Sequence, residues 1–324
     1  MKNKLFVLPL LAIMLTACQN QSSSSSCDCS SSYIYQGNEL SIITPTGAPA
    51  LAFYNYSDNP KFETNAVPTN IVATMNAAQK DVVVLPTNAG VQAIVNKNAP
   101  YKIAATLTLG NFYIASMGND TNNTMDANDT ILLFQKNNVP DKIFHYVYGN
   151  TLDSALHYVE AVSDVAKAAI SGSFVDADTG TNMTPNYVLI AEPALSTVRT
   201  KKNNIFVYAD LQEEYKKKSN NLEIYQASVF VKNDLDEEIV TAFLKSIKKD
   251  VENMLKDSNV LKEGMNRSDV AETLYGVAPD TAAEVLQEGN GMGLGFKYAK
   301  ENKAAIDQFL SLFNIATTDE KIYF

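Results

Sequence analysis

The sequence predicts an α/β protein of two lobes, and three observations carry that expectation. Apolar, β-branched runs such as LSIIT (40–44), DVVVLP (81–86) and YVLIA (187–191) alternate with helix-period segments, the pattern of strands flanked by helices in largely parallel sheets. Two longer extended runs, 101–117 (YKIAATLTLGNFYIASM) and 222–234 (LEIYQASVFVKND), lie far apart and suit a chain that crosses from one lobe to another and later returns. With 324 residues, 46% of them hydrophobic and 19% charged, the chain is long and apolar enough for two cores.

Taken in order, LSIIT is a strand and APALAFYNY (48–56) opens a helix. TNIVAT (69–74) is expected as an edge strand, MNAAQK (75–80) as a short helical turn and DVVVLP as a buried strand. TNAGVQAIVNK (87–97) follows as a helix with Asn88 as its cap. The first long β run breaks at Gly110, and the polar stretch 118–130 reads as a surface loop. ILLFQ (131–135) is a strand; 139–150 and 164–172 are helices stopped at Gly149 and Gly172. A loop over 173–185 leads to NYVLIAEPALSTVRTK (186–201), again strand, turn, Pro and helix. After the second long run the chain is mainly helical, at 237–255, 267–276, 280–287 and 300–313. Ile239, Phe243, Ile247 and Val251 recur every four residues and mark one buried face of the first of these.

A formal net charge of -10 and a pI near 4.8 argue against a nucleic-acid partner, because phosphate binding needs a basic face. The first residues point to secretion. MKNK is a short basic region and LFVLPLLAIM an apolar run too short for a membrane span. LTAC (15–18) resembles a bacterial lipobox, which implies lipidation of Cys18. The Ser-rich stretch that follows reads as a flexible tether. Cys27 and Cys29, separated by one residue, are compatible with a vicinal-type bridge, a metal site or a mixed disulfide, although no further Cys or nearby His completes a zinc set.

The segments IITPTGAPAL (42–51), VVVLPTNAGV (82–91) and VLIAEPALST (188–197) each put small or polar residues where a strand ends and a helix begins. Open α/β sheets bind ligands at such ends. These turns, together with the lipobox, YQASVFVKND (225–234) and the long helix after it, resemble the substrate-binding lipoproteins of ABC importers. The type II group related to alkanesulfonate, nitrate and thiamine-pyrimidine binders is the nearest in kind. The resemblance implies a type II periplasmic-binding-protein-like fold whose two lobes close on a ligand about two crossing strands. It divides the chain into a signal peptide (1–17), a tether (18–37), lobe one (38–108 and 228–324) and lobe two (109–227). It also implies a small-molecule ligand, an ABC permease as partner, and a monomer anchored in lipid through Cys18 on the extracytoplasmic face of the cell membrane.

The expected ligand contacts are Thr46, Gly47 and Ala48 at the first turn, Thr87 and Asn88 at the second, and Glu192 at the third. Helix N-termini there present backbone donors, and Gly47 lets a ligand approach the chain closely. Asn111, Phe112 and Tyr113 follow Gly110 at the first crossing, and Tyr54 lies on the first helix; the aromatic rings suit stacking on a flat ligand. Phe112 and Tyr113 are neighbours in an extended segment, so at most one faces a cleft. In the related binders the segment matching GNGMGLGF (289–296) runs back past the cleft, which adds Asn290. The two arginines, Arg199 and Arg267, lie outside these turns, so no bidentate carboxylate clamp is in view. Glu192 would accept a hydrogen bond from an amino group and repel an anion, whereas helix N-termini alone could hold a sulfonate or nitrate. The sequence thus points to a flat, amino-bearing nutrient such as a thiamine-type pyrimidine, with an anion binder or a surface sensor as alternatives. No enzyme is expected: His145 and His157 are read as solvated helix-face residues with no nucleophile motif around them, and no cofactor or metal set is evident.

Overall fold

In a computed structural model, residues 40–119, 124–315 and 318–324 are described. The expected signal peptide, Cys18 and the tether with Cys27 and Cys29 lie outside them. The described residues form one compact unit. Its elements, in chain order, begin with β1 (Ile42–Pro45), α1 (Ala48–Leu51), β2 (Phe62–Asn65), α2 (Pro68–Asn76), β3 (Val82–Pro86), α3 (Thr87–Lys97), β4 (Tyr101–Thr108) and β5 (Phe112–Ser116). They continue with β6 (Ile131–Phe134), α4 (Val139–Tyr148), β7 (Leu156–Val159), α5 (Val162–Ser171), β8 (Phe174–Val175), β9 (Asn182–Met183), β10 (Tyr187–Ala191), α6 (Ala194–Arg199), β11 (Phe206–Asp210) and α7 (Leu211–Lys218). The rest are β12 (Ala227–Lys232), α8 (Glu237–Lys256), α9 (Ser258–Met265), α10 (Ala271–Tyr275), α11 (Pro279–Gln287), β13 (Leu294–Tyr298) and α12 (Lys303–Leu310).

Two main sheets result, a six-stranded one in the order β13-β4-β12-β3-β1-β2 and a five-stranded one in the order β11-β5-β10-β6-β7. They are mixed rather than largely parallel. β1 pairs in parallel with β2 and β3, and β6 with β7 and β10. β12 instead runs antiparallel to both β3 and β4, and β5 antiparallel to β10 and β11. The two long extended runs cause this: strands that leave one sheet and come back enter it in opposite senses without the crossover helix that a parallel pair requires.

β3 shows why the first sheet is covered on both faces. Val83 and Leu85 join the core that also holds Ile71, Val91, Ile306 and Phe309, whereas Val82 and Val84 join the one holding Leu51, Phe243 and Leu261. A strand buried on both sides reads as a continuous apolar run. Along α8 the buried residues are Val240, Phe243, Leu244, Ile247, Val251 and Met254, at helical spacing. Ile239 departs from expectation: it is 40% exposed, because it lies in the first turn where Asp236 accepts bonds from the Glu238 and Ile239 amides.

Three further expectations are corrected. TNIVAT is part of α2, since Pro68 starts a helix whose Ile71 and Met75, four apart, are its buried residues. His157 lies on β7 rather than on a helix, and its Nδ1 is 2.7 Å from an Asp176 carboxylate oxygen. His145 does lie on α4, but it is engaged: one ring nitrogen meets the Asp141 carbonyl at 2.9 Å and the other Asp153 at 3.2 Å. No helix of the described residues is long and apolar enough to cross a membrane.

Candidate functional site

A cavity of about 370 Å³ opens where the ends of β1, β6 and β10 meet the two crossings. From the first sheet come the turn Pro45–Pro49, Pro86 and Gly276; from the second come Phe112, Phe134, Val139, Ala161–Ser163 and Ala191–Ala194. Its wall is largely proline, alanine, valine and phenylalanine; Lys167 and Lys201 also lie in the lining, and the Lys167 ammonium is 2.9 Å from an Asp164 carboxylate oxygen. A volume of this size suits a small, mostly apolar solute oriented by a few polar groups.

The β1 turn is fixed by its backbone. The Gly47 amide donates to the Tyr275 carbonyl at 2.9 Å, and the Gly47 carbonyl accepts from Ala50 at 3.0 Å. Gly47 has φ +97, and a Cβ placed there would meet nothing within 4 Å. A side chain would therefore be strained by the backbone rather than by neighbours.

At the β10 end, Glu192 is 6% exposed, and its carboxylate accepts from the Ser196 amide at 3.0 Å and from the Ser196 hydroxyl at 2.9 Å. Burial raises its pKa, against the lowering effect of those two bonds and of Arg199. Asn111 is tied to the same residue: its side-chain nitrogen donates to the Glu192 carbonyl at 2.6 Å, and its own carbonyl accepts from the Glu192 amide at 3.0 Å. The opposite end of the Asn111 carboxamide, Oδ1, is buried with no partner among the described residues.

The crossings are anchored. Gln212 on α7 brackets Phe112, accepting from its amide at 2.8 Å and donating to its carbonyl at 3.1 Å. In the return crossing the Gln226 amide donates to the Thr108 carbonyl, and the Gln226 carbonyl accepts from Thr87, each at 3.0 Å. The β4–β5 link is also held by the Leu109 amide, which donates to the Gly293 carbonyl at 2.8 Å.

Of the residues singled out by sequence, Thr46, Gly47, Ala48, Asn111, Phe112 and Glu192 line this cavity. The others lie elsewhere. The Thr87 hydroxyl is 2.7 Å from that of Ser228 and fully buried under the sheet. Asn88 faces a second cavity of about 380 Å³ with Lys136, Asn138 and Lys142, and donates to Asn138 at 3.2 Å. Tyr54 is outside because α1 stops at Leu51; its ring packs on Gly264, and its carbonyl accepts from Arg267. The Tyr113 ring turns to the face opposite Phe112, and its hydroxyl donates to the Gly291 carbonyl at 2.9 Å. Asn290 closes its own turn, accepting from the Leu294 amide at 3.0 Å and donating to the Leu294 carbonyl at 2.7 Å.

Sequence reasoning missed Phe134, the α5 start and Gln226. Phe134 was within reach, since ILLFQ ends a strand before a helix as the three chosen turns do. Gln226 carries no such signal; it matters because the return crossing places it in the cavity lining.

No family model and no curated protein matches the chain. Solved structures do. An ABC transporter protein from Parabacteroides distasonis has a TM-score of 0.67 at 17% identity, over 84% of this chain and 91% of that one. The periplasmic aliphatic sulphonate binding protein SsuA of Escherichia coli has a TM-score of 0.61 at 11% identity, over 87% and 91%. A Candida albicans gene product with the generic periplasmic binding protein fold has a TM-score of 0.53 at 9% identity, over 87% and 92%. Solute-binding proteins of ABC import systems recur among the structural neighbours, and the DSZB C27S mutant in complex with biphenyl-2-sulfinic acid is also among them, with a TM-score of 0.53 at 11% identity. At these identities the likeness establishes architecture, and the chain has the periplasmic-binding-protein fold.

Proposed function

We propose that this protein is an extracytoplasmic solute-binding lipoprotein, anchored through Cys18, that captures a small, flat, amino-bearing nutrient and delivers it to an ABC importer. A thiamine-type pyrimidine or related heterocycle is the ligand class we favour. The halves on either side of the crossings, 38–108 with 228–324 and 109–227, act in this reading as the closing lobes. The observation that carries the ligand class is the cavity itself: Phe112 and Phe134 on an apolar wall, with Glu192 supplying acceptor oxygens and no arginine in the lining. A ligand N–H can share either Glu192 oxygen, each of which has one bond within the protein.

Glu192→Gln tests this. It is expected to weaken 4-aminopyrimidine at least tenfold in a calorimetric titration, and unchanged affinity would contradict the amino-group assignment. A second reading is favoured by one observation. α5 begins at the cavity with no side-chain cap, and Lys201 is in the lining, an arrangement suited to a sulfonate or similar anion, whereas Lys167 is paired with Asp164. That reading predicts the opposite response, with p-toluenesulfonate bound more tightly once the Glu192 charge is removed.

A further inference from the structure

In this fold Gln226 is held rigidly by its backbone while its side chain is left uncommitted. Its amide donates to the Thr108 and Ile224 carbonyls, and its carbonyl accepts from Thr87, so its own turn and two other segments fix its position in the lining of the cavity. Its Oε1 is buried and has no hydrogen-bond partner among the described residues, and no side-chain nitrogen bond joins it to them either. Leaving a buried carbonyl oxygen such as this one unpaired costs on the order of 1–3 kcal/mol. Structural amides in the same region are not left this way: Gln212 makes bonds through both ends, and so does Asn290. The other buried side-chain atoms without a partner among the described residues are Asn111 Oδ1, at the other crossing, Thr108 Oγ1 and Asn88 Oδ1; the Asn111 nitrogen is taken by the Glu192 carbonyl.

We infer that Gln226 is a specificity-determining residue, whose carboxamide pairs side by side with a ligand edge bearing one hydrogen-bond acceptor next to one donor. A ring nitrogen beside an exocyclic amino group is such an edge. A planar carboxamide presents one donor and one acceptor in parallel, and a bidentate amide pair of this kind discriminates against a wrong edge by about 1–3 kcal/mol. Asn111 Oδ1 and Glu192 add acceptors only, which biases the edge toward amino groups. The inference rests on the solute-binding reading above and extends it from one contact to the pattern of the ligand's edge. It also places recognition on the return crossing, so that the ligand engages the segment about which the halves would move.

The test uses the full-length protein, with 4-aminopyrimidine and its shape analogue 4-methylpyrimidine as probes, titrated calorimetrically. Wild-type protein is expected to bind the amino compound at least tenfold more tightly than the methyl compound, which is about 1.4 kcal/mol. Gln226→Leu is expected to lose at least tenfold for 4-aminopyrimidine and to melt no lower than wild type, because no protein bond is removed. Gln226→Glu, which puts a carboxylate opposite the ring nitrogen, is expected to lose as much. If Gln226→Leu binds 4-aminopyrimidine as wild type does, the inference is overturned while the response of Glu192→Gln can still uphold the solute-binding reading. A Gln226→Leu protein that melts well below wild type while keeping its affinity points to a structural role and overturns it too. Wild-type protein that binds neither pyrimidine overturns both.

Discussion

Gly293→Ala is expected to lower the unfolding free energy by roughly 3 kcal/mol or more, the largest single-residue effect we foresee. Gly293 has φ +59, and a Cβ there would lie 1.9 Å from the Gly110 carbonyl oxygen and 2.8 Å from its carbon. Both clashes are with backbone, so no rotamer change relieves them. The Gly110 side is held in place on both flanks, by the Leu109 amide bonded to the Gly293 carbonyl and by Gln212 bonded to the Phe112 amide and carbonyl. The Leu109 bond to the Gly293 carbonyl holds the two segments together, so relief would break the β4–β13 edge beside the crossing. Gly289 serves as control: it has φ +118 but open space at Cβ, so its alanine variant is expected to cost about 1 kcal/mol from backbone strain alone. Urea unfolding of the two variants decides the matter. If Gly293→Ala is no worse than Gly289→Ala, the close packing of the crossing against the 289–293 turn does not support the fold as described.

Asp250→Asn is expected to stabilise the protein at pH 8 and to do almost nothing at pH 3.5. Asp250 sits on α8 facing the segment around Asn55, and burial pushes its carboxyl up from 3.8 to about 6, against weaker lowering by a bond from Asn55 and by Lys249 and Arg267. A carboxyl raised on folding makes the native state prefer the protonated form. Stability is therefore highest below the unfolded value of 3.8 and falls as pH rises through about 6, above which the charge is buried at its full cost. The shift corresponds to at most about 3 kcal/mol; with part of the group in water, about 1–2 kcal/mol is the expected gain at pH 8. Thermal melts of both proteins from pH 3.5 to 8 test this. A gain independent of pH would place the effect in helix propensity instead.

The strands and the principal helices were legible because their signals are local and strong. DVVVLP could only be a strand buried on both faces, and Gly149 and Gly172 do stop α4 and α5. TNIVAT misled because its β-branched residues match a strand, while Pro68 just before it sets a helical start whose face, Ile71 and Met75, spans the boundary of the quoted run. The antiparallel pairs were illegible for a different reason: strand sense depends on how distant segments meet, which no local pattern encodes. The same holds for the site. Thr46, Gly47, Ala48 and Glu192 could be found because strand ends next to helices are local features. Whether Thr87 points down to Ser228 or up to a ligand, and whether Gln226 finds a partner, is decided across the sheet.

The most direct test of the proposed solute binder is to purify the full-length protein, release any bound small molecules by gentle denaturation, and identify them by mass spectrometry. Each compound found is then returned to the protein to see whether it raises the melting temperature, as a ligand specific to the native state must. The account predicts a flat, amino-bearing heterocycle that stabilises the wild type and stabilises Glu192→Gln and Gln226→Leu much less. A stabilising sulfonate or carboxylate, with its effect undiminished or enhanced in Glu192→Gln, would contradict it.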